Sequence, residues 1–336
     1  MWWLLARIAI SGGLLAWLVH RINLGAIGAN LVHASPGWVL AANLLTAPVI
    51  VLVSWKWQVL LRAAGVRESL PRLVRMNLVG GFYSLVLPGE ETGQLAKGLI
   101  LARHSKGDAV AASIIVDEIL GTLSIFGIAL VALGLTHPFP LRGLIAGAIG
   151  FMLAVFLVLL VLAVFPQFHG LARAIVERIL NWLRLYRMQA WLAPFWASLN
   201  HYYRRPGPLL AAFAITVAAH LLADVSVLST MRAVGANVSF LDICWVVAAI
   251  SALVTIPITV SGFGIREGAN VIILGQLGVP GSQALAISLL AFAIGLVWSL
   301  PGALLQFGIR SKTPDRPSIE PEEPAAVEVA AGNAAS

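Results

Sequence analysis

The 336-residue chain is poor in charge, with 11% Asp, Glu, Lys and Arg against 59% hydrophobic residues. A soluble globular domain carries about 25% charged and about 45–50% apolar residues. A water-soluble enzyme is therefore excluded. Cysteine is nearly absent: Cys244 stands alone in an apolar run, which allows neither a disulfide framework nor a thiolate zinc site. Catalytic signatures are missing too, since no HExxH, CxxC, GxSxG or Walker-type loop ending in Lys-Ser/Thr occurs. Ser261 and His220 are raw material for a serine hydrolase, but nothing in the sequence joins them, and a triad is defined by geometry. The longest polar linker, 166–208, has 43 residues, near the floor of about 40 below which a domain needs extra staples. No enzyme activity, metal or cofactor is expected.

Long apolar runs are what the chain does have. A spanning helix needs about 20 mostly apolar residues. Runs of that kind cover 2–19, 38–55, 109–135, 143–165, 208–231 and 243–265. The stretch 268–309 holds no charged residue over 42 positions and breaks at Gly278, Pro280 and Gly281, leaving a short segment and a span over 283–308. The first run lacks the basic n-region and small-residue cleavage site of a signal peptide, so it reads as a span. The fold class is all-α, a polytopic membrane bundle of about eight transmembrane helices with broken or re-entrant segments. Eight crossings result if 243–265 and 262–279 both cross and 76–107 dips and returns. Residues 1–310 form the membrane domain, including the linker 166–208, and 311–336 form a tail.

Charge then sets the orientation. The pI of about 10.2 resides in the membrane body, because the tail from Arg310 holds three basic and five acidic residues. This is topological charge, so no nucleic-acid partner is expected. The connections 62–75 and 166–208 are rich in Arg, whereas 20–37 and 136–142 carry one Arg each. The positive-inside rule places the Arg-rich connections and both termini in the cytoplasm of a bacterial inner membrane. Within 166–208, Ile175, Val176, Ile179 and Leu183 recur at helical spacing opposite Arg173, Glu177 and Arg184. That pattern fits either an interfacial helix attracted to anionic lipid or a helix packed on the bundle. The Pro- and Glu-rich tail is too poor in large apolar residues to fold by itself.

Two stretches do not read as simple spans. One is Leu85–Gly98, with Pro88, Glu90, Glu91, Gly93 and Lys97. The other is Ile256–Gly268, with Pro257, Gly262, Gly264, Arg266 and Glu267. Non-helical backbone at membrane depth is tolerated only where protein buries it or a wet cavity takes it up. Paired broken segments in the two halves of a chain point to a midplane binding site. Ordinary surface loops are the plainer alternative.

Four motifs carry a family resemblance: Trp55 through Arg62, Pro88 through Gly93 and on to Lys97, Asp117 through Gly121, and Ser261 through Glu267. They resemble segments of the lysylphosphatidylglycerol-synthetase transmembrane, or flippase-like, family, over roughly residues 1–310. Thr92 and Gln94 stand where that family has Gly and Asp, Lys97 where it has Arg, and Glu118 where it often has Arg. The resemblance implies about eight helices with re-entrant pieces, and movement of phospholipids or polyprenyl-linked lipids across a membrane. It covers the membrane half of the lysyl-lipid synthetases without their catalytic half.

The charged residues inside apolar helices are the candidate site. Each ionisable group at a helix centre costs about 2.5–3.5 kcal/mol on insertion scales, so those retained face the interior and pair. Lys97 and Arg266 are expected to hold a lipid phosphate, balanced by Glu90, Glu91, Asp117, Glu118 and Glu267. Pro88, Gly93, Pro257, Gly262 and Gly264 are expected to shape the backbone. Asp117 and Glu118 point about 100° apart, so both face inward only if protein surrounds their helix. Glu267 reads alternatively as a helix cap. His220 and Asp224, four apart, form either a proton relay or a hydrogen-bonded tie between helices. Lys56, between Trp55 and Trp57, reads as an interfacial anchor whose amine snorkels to the surface. Two functions fit: a translocator of membrane lipids, or a non-transporting accessory of a lipid-synthesis or glycosyltransferase partner.

Overall fold

The computed structural model describes residues 24–86, 92–103, 105–182, 196, 198–199, 202, 206–254 and 264–310. Among them are eleven α-helices and one short 3-10 turn, with no strand. The N-terminal run 2–19 and the tail 311–336 lie outside the described residues, as do Pro88, Glu90, Glu91, Pro257 and Gly262.

Five helices are long and apolar enough to cross a bilayer: α2 (Pro36–Ala63), α5 (Gly107–Leu135), α6 (Arg142–Val164), α8 (Pro206–Ala233) and α11 (Gly281–Arg310). At 1.5 Å per residue the shortest, 23 residues, reaches about 34 Å, enough for a core of about 30 Å. Pro48 and Pro301 lie inside α2 and α11, where neighbouring helices make such breaks tolerable in a membrane. Shorter helices fill the gaps: α1 (Leu24–Val32), α3 (Leu70–Val86), α4 (Thr92–Ala102), α7 (His169–Trp182), α9 (Phe240–Val254) and α10 (Ile265–Gly275).

The order of lengths repeats. Helices α2 to α5 have 28, 17, 11 and 29 residues; α8 to α11 have 28, 15, 11 and 30. The same turn ends the first helix of each set. Gly65 and Gly235 have φ of 82° and 75°. The next amide donates five residues back, Val66 to Leu61 and Ala236 to Met231. Both are Schellman caps, which need a residue that tolerates the left-handed region. Packing repeats as well, since α3 lies against α11 as α9 lies against α5.

Hydrogen bonds at the helix ends fix the direction of each short pair. Ser105 Oγ donates to Glu68 Oε1 at 3.3 Å, joining the start of α3 to the end of α4. Both ends of the α3–α4 hairpin therefore sit at one face. The same face holds Ser198, whose Oγ donates to Asp108 Oδ2 at 2.7 Å, and Tyr202, whose hydroxyl donates to the Leu60 carbonyl at 3.0 Å. At the other end of α2, the Ser35 amide donates to Ala233 O at 2.8 Å. Gln283 Nε2 donates to Val234 O at 3.0 Å, joining the end of α8 to the start of α11. The α9–α10 pair therefore starts and ends at the opposite face. The two sets of four helices run with inverted topology, each carrying a hairpin that enters from its own side.

This bears on the expected crossings by 243–265 and 262–279, whose described helices, α9 and α10, are short. Helix α9 has 15 residues, about 22 Å, too short for a full span, and its partner α10 returns to the same face. Within 76–107, helices α3 and α4 are likewise short, with the start of α3 and the end of α4 at one face. The crossings among the described residues are therefore five, and the break expected at Gly278 and Pro280 falls between α10 and α11.

Two apolar clusters hold the bundle. One gathers Trp57, Leu60, Leu61, Leu73, Met76 and Leu101 near the Glu68 face. The other gathers Phe126, Trp245, Ile273, Leu274 and Leu285 near the opposite face. Glycine allows the closest crossings: a Cβ on Gly93 would overlap the Gly80 carbonyl oxygen, and one on Gly302 would overlap that of Leu78. Helix α3 is thereby clamped between α4 and α11.

Candidate functional site

A cavity of about 440 Å³ lies between the two clusters, bounded by α2, α3, α4, α5, α6, α8 and α9. That volume falls within the range of ligand sites, about 300–1,000 Å³. Its wall is polar for a place inside a membrane: Lys56, Asn77, Ser84, Gln94, Lys97, Asp117, Glu118, Thr122, His220 and Ser251 all contribute. Asp117 is ten positions into α5, about 15 Å from its start.

Helix α5 makes this wall possible. It packs against α2, α4, α6, α8 and α9, so protein covers most of it and both carboxylates face the interior. Asp117 Oδ1 lies 2.7 Å from Lys56 Nζ, in a pair that is almost wholly buried. Glu118, half-buried, faces the cavity beside it. The anchor reading of Lys56 is thus corrected: its amine does not snorkel outward but neutralises Asp117. Side chains next to each other on a helix diverge by about 100°, and here the divergence separates two roles. Trp55 is 46% exposed, as a belt residue should be, whereas Trp57 is fully buried.

Trp57 serves as a platform. Lys97 Nζ stands 4.5 Å from the centre of its ring, a cation–π contact that gains strength where water is excluded. Lys97 Nζ also donates to Asn77 Oδ1 at 2.9 Å. Asn77 Nδ2 passes the chain to Ser54 Oγ at 2.8 Å, and Ser54 donates to the Ile50 carbonyl at 2.7 Å. Trp57 Nε1 donates to Ser113 Oγ at 3.1 Å. The re-entrant lysine is therefore held by α2, α3 and α5 together. Gly93 brings α4 close enough to α3 for this contact to form.

The second broken segment does not join this wall among the described residues. Glu267 Oε2 accepts the Gly264 amide at 2.6 Å, and Ser288 Oγ approaches Oε1 at 3.4 Å. Gly264 has φ of 86°, a conformation glycine adopts without strain. Glu267 is thus the N-terminal clasp of α10, the cap reading. Arg266 is half-buried on the same helix, its carbonyl accepting Asn270 Nδ2 at 2.9 Å. Among the described residues, the basic side chains lining the cavity are Lys56 and Lys97, and Arg266 does not line it. His220 and Asp224 are likewise divided. His220 lines the cavity and is hydrogen-bonded through Nδ1 to Ser124 Oγ at 3.1 Å. Asp224, one turn on, is buried against the Cys244 thiol.

Several wall residues carried no signal in the sequence. Asn77, Ser84 and Ser251 are common membrane-helix residues, marked only by depth. Gln94 Oε1 is buried on the wall without a hydrogen-bond partner among the described residues.

The family model described as the lysylphosphatidylglycerol synthase TM region matches residues 4–302. A UPF0104 membrane protein of Methanothermobacter thermautotrophicus is 24% identical over 297 residues, covering 83% of this chain and 87% of that protein. No solved structure matches the chain.

Proposed function

The chain is a multi-pass membrane protein belonging to the family of the lysylphosphatidylglycerol synthase TM region, and we propose that it moves a phosphate-bearing lipid between leaflets. One observation supports this most: a polar cavity with two buried lysines, walled on one side by the short helices α3 and α4. A soluble solute would need a water-filled route from one face. A lipid needs less. Its head group alone must enter, while acyl chains of about 15 Å, half of a core of about 30 Å, stay among the lipids. A cavity of about 440 Å³ suits a head group and not two such chains. Lysine is a common phosphate binder, acting as a point charge. No bond is made or broken in this reading, so the protein acts as a carrier, in a bacterial inner membrane with both termini cytoplasmic.

The test is reconstitution of the purified protein in vesicles containing acyl-labelled phospholipids, followed by an impermeant quencher added outside. Quenching beyond the outer-leaflet share, at least tenfold faster than in protein-free vesicles, is the expected result. Rates equal to empty vesicles would overturn it. The description of the matching family, the membrane region of a synthase, favours a second reading, an accessory that presents lipid to a partner enzyme. Inert vesicles in which lipid still raises the protein's melting temperature, an effect lost in Lys97→Ala, would favour that one.

A further inference from the structure

Resting on the translocation reading, we infer that the head group this cavity takes is zwitterionic, one phosphate and one ammonium with no net charge. The argument begins from formal charge. Among the described residues, two basic side chains, Lys56 and Lys97, and two acidic ones, Asp117 and Glu118, line the same cavity, so their formal charges cancel. The Lys56–Asp117 pair is closed at 2.7 Å and nearly inaccessible.

Any head group that reaches this wall competes with contacts already made there. An anionic group engages the lysines and draws Lys56 from Asp117, leaving a carboxylate buried without its cation. Breaking one partner of a buried pair is strongly unfavourable, because the other charge stays behind unpaired. A purely cationic group has the mirror-image difficulty. A zwitterion replaces both partners at once, with its phosphate on lysine and its ammonium on carboxylate. Every charge on the wall then keeps an opposite neighbour. A second observation points to the cationic half. Gln94 Oε1 is a buried acceptor without a hydrogen-bond partner among the described residues. It lies on α4 one turn before Lys97, and a primary ammonium brings three donors.

The experiment compares two lipids in the same vesicles. Both are labelled on an acyl chain so that the head group stays intact, one bearing phosphoethanolamine and the other phosphoglycerol. The parent protein is expected to move the phosphoethanolamine lipid at least tenfold faster. Two near-isosteric variants then shift the wall's charge in opposite directions. Glu118→Gln makes it positive and should cut the preference at least fivefold, whereas Gln94→Glu makes it negative and should leave the phosphoglycerol lipid slower still. Thermal unfolding of each variant confirms that it is folded, and either one alone suffices to test the sign. Equal rates for both lipids in the parent, or a preference that neither folded variant alters, would overturn the zwitterion assignment while leaving translocation standing. A parent that moves neither lipid would instead sink the translocation reading itself.

Discussion

The Lys56–Asp117 pair offers the most direct test of how the bundle tolerates its charges. At 2.7 Å, Coulomb's law with an effective dielectric constant of about 20 gives roughly 6 kcal/mol of attraction. Desolvation of both groups takes much of that back, so the net worth of the pair is small. Removing one partner is a different matter and costs about 3–5 kcal/mol. Lys56→Met should therefore destabilise strongly, and so should Asp117→Leu. The double variant, with two apolar groups and no charge left unpaired, should be close to the parent. The coupling between the two sites, the sum of the two single costs, is then about 6–10 kcal/mol. Reversible unfolding in mixed detergent and dodecyl sulfate micelles measures all four corners of the cycle. Additivity within about 0.5 kcal/mol, the range expected of independent sites, would show that the two charges do not meet. The same double variant separates folding from function: it should fold, yet move lipid at least tenfold more slowly, because the charges a head group would engage are gone.

Other expectations follow from single contacts. Gly93→Ala and Gly302→Ala each place a methyl on a neighbouring backbone carbonyl, and should lower stability by about 1–3 kcal/mol as overpacking does; Gly147→Ala, with open space around it, should not, and equal melting temperatures for all three would refute the close crossings. Glu267→Gln loses a carboxylate that accepts the Gly264 amide and should cost about 0.5–2 kcal/mol, the usual worth of a cap, with lipid movement per folded molecule unchanged; a selective loss of transport would return Glu267 to the site. Topology is checked with single cysteines in a Cys244→Ala background, scored by an impermeant maleimide. Arg67→Cys and Lys106→Cys, exposed at the two ends of the α3–α4 hairpin, should react from the same side, and His137→Cys and Asn237→Cys from the other; reaction of the first two from opposite sides would mean that the hairpin crosses.

How far the sequence reveals the fold depends on which physical property decides each element. Length and apolarity decide a span, and four of the five described spans stand within a few residues of where the hydropathy puts them, while α2 runs eight residues past its apolar run 38–55. The break before α11 was legible because Gly278, Pro280 and Gly281 interrupt an otherwise uncharged run. Re-entry is decided by where a helix ends and what holds its ends, and hydropathy is blind to both. Residues 243–254 are as apolar as any span. Only the Gln283–Val234 bond shows that α9 and α10 begin and end at one face. The repeat leaves little trace in sequence, with Arg-Ala-Ala-Gly at 62–65 against Arg-Ala-Val-Gly at 232–235, although the Schellman turns built there are the same.

The site was legible where a charge stood alone in an apolar run, as with Lys97, Asp117 and Glu118. It was not legible where local context supplied a plausible other role. Flanking tryptophans made Lys56 look like a belt residue, and its partner is 61 positions away on another helix. The same limit applies to Arg266 and Glu267, whose place in a motif says nothing about which way α10 faces. The inverted repeat explains why the charges gather on one side. Counted from the helix starts, Lys56, Asn77, Lys97 and Asp117 correspond to Ser226, Val247, Asn270 and Ala291. The second set of helices keeps the frame and carries no charge at any of these four positions. A frame of two inverted halves has room for equivalent cavities at both faces, and charge marks the half that, on the proposed function, would take the head group. The ion pair, the tryptophan platform and the asparagine that holds Lys97 all belong to the half whose hairpin enters beside Arg62, Arg67 and Arg72. Those arginines are mostly solvent-exposed and stand at the face from which a phosphate would approach. Electrostatic attraction at that entrance and a neutral wall behind it are compatible demands only on a group that carries both signs.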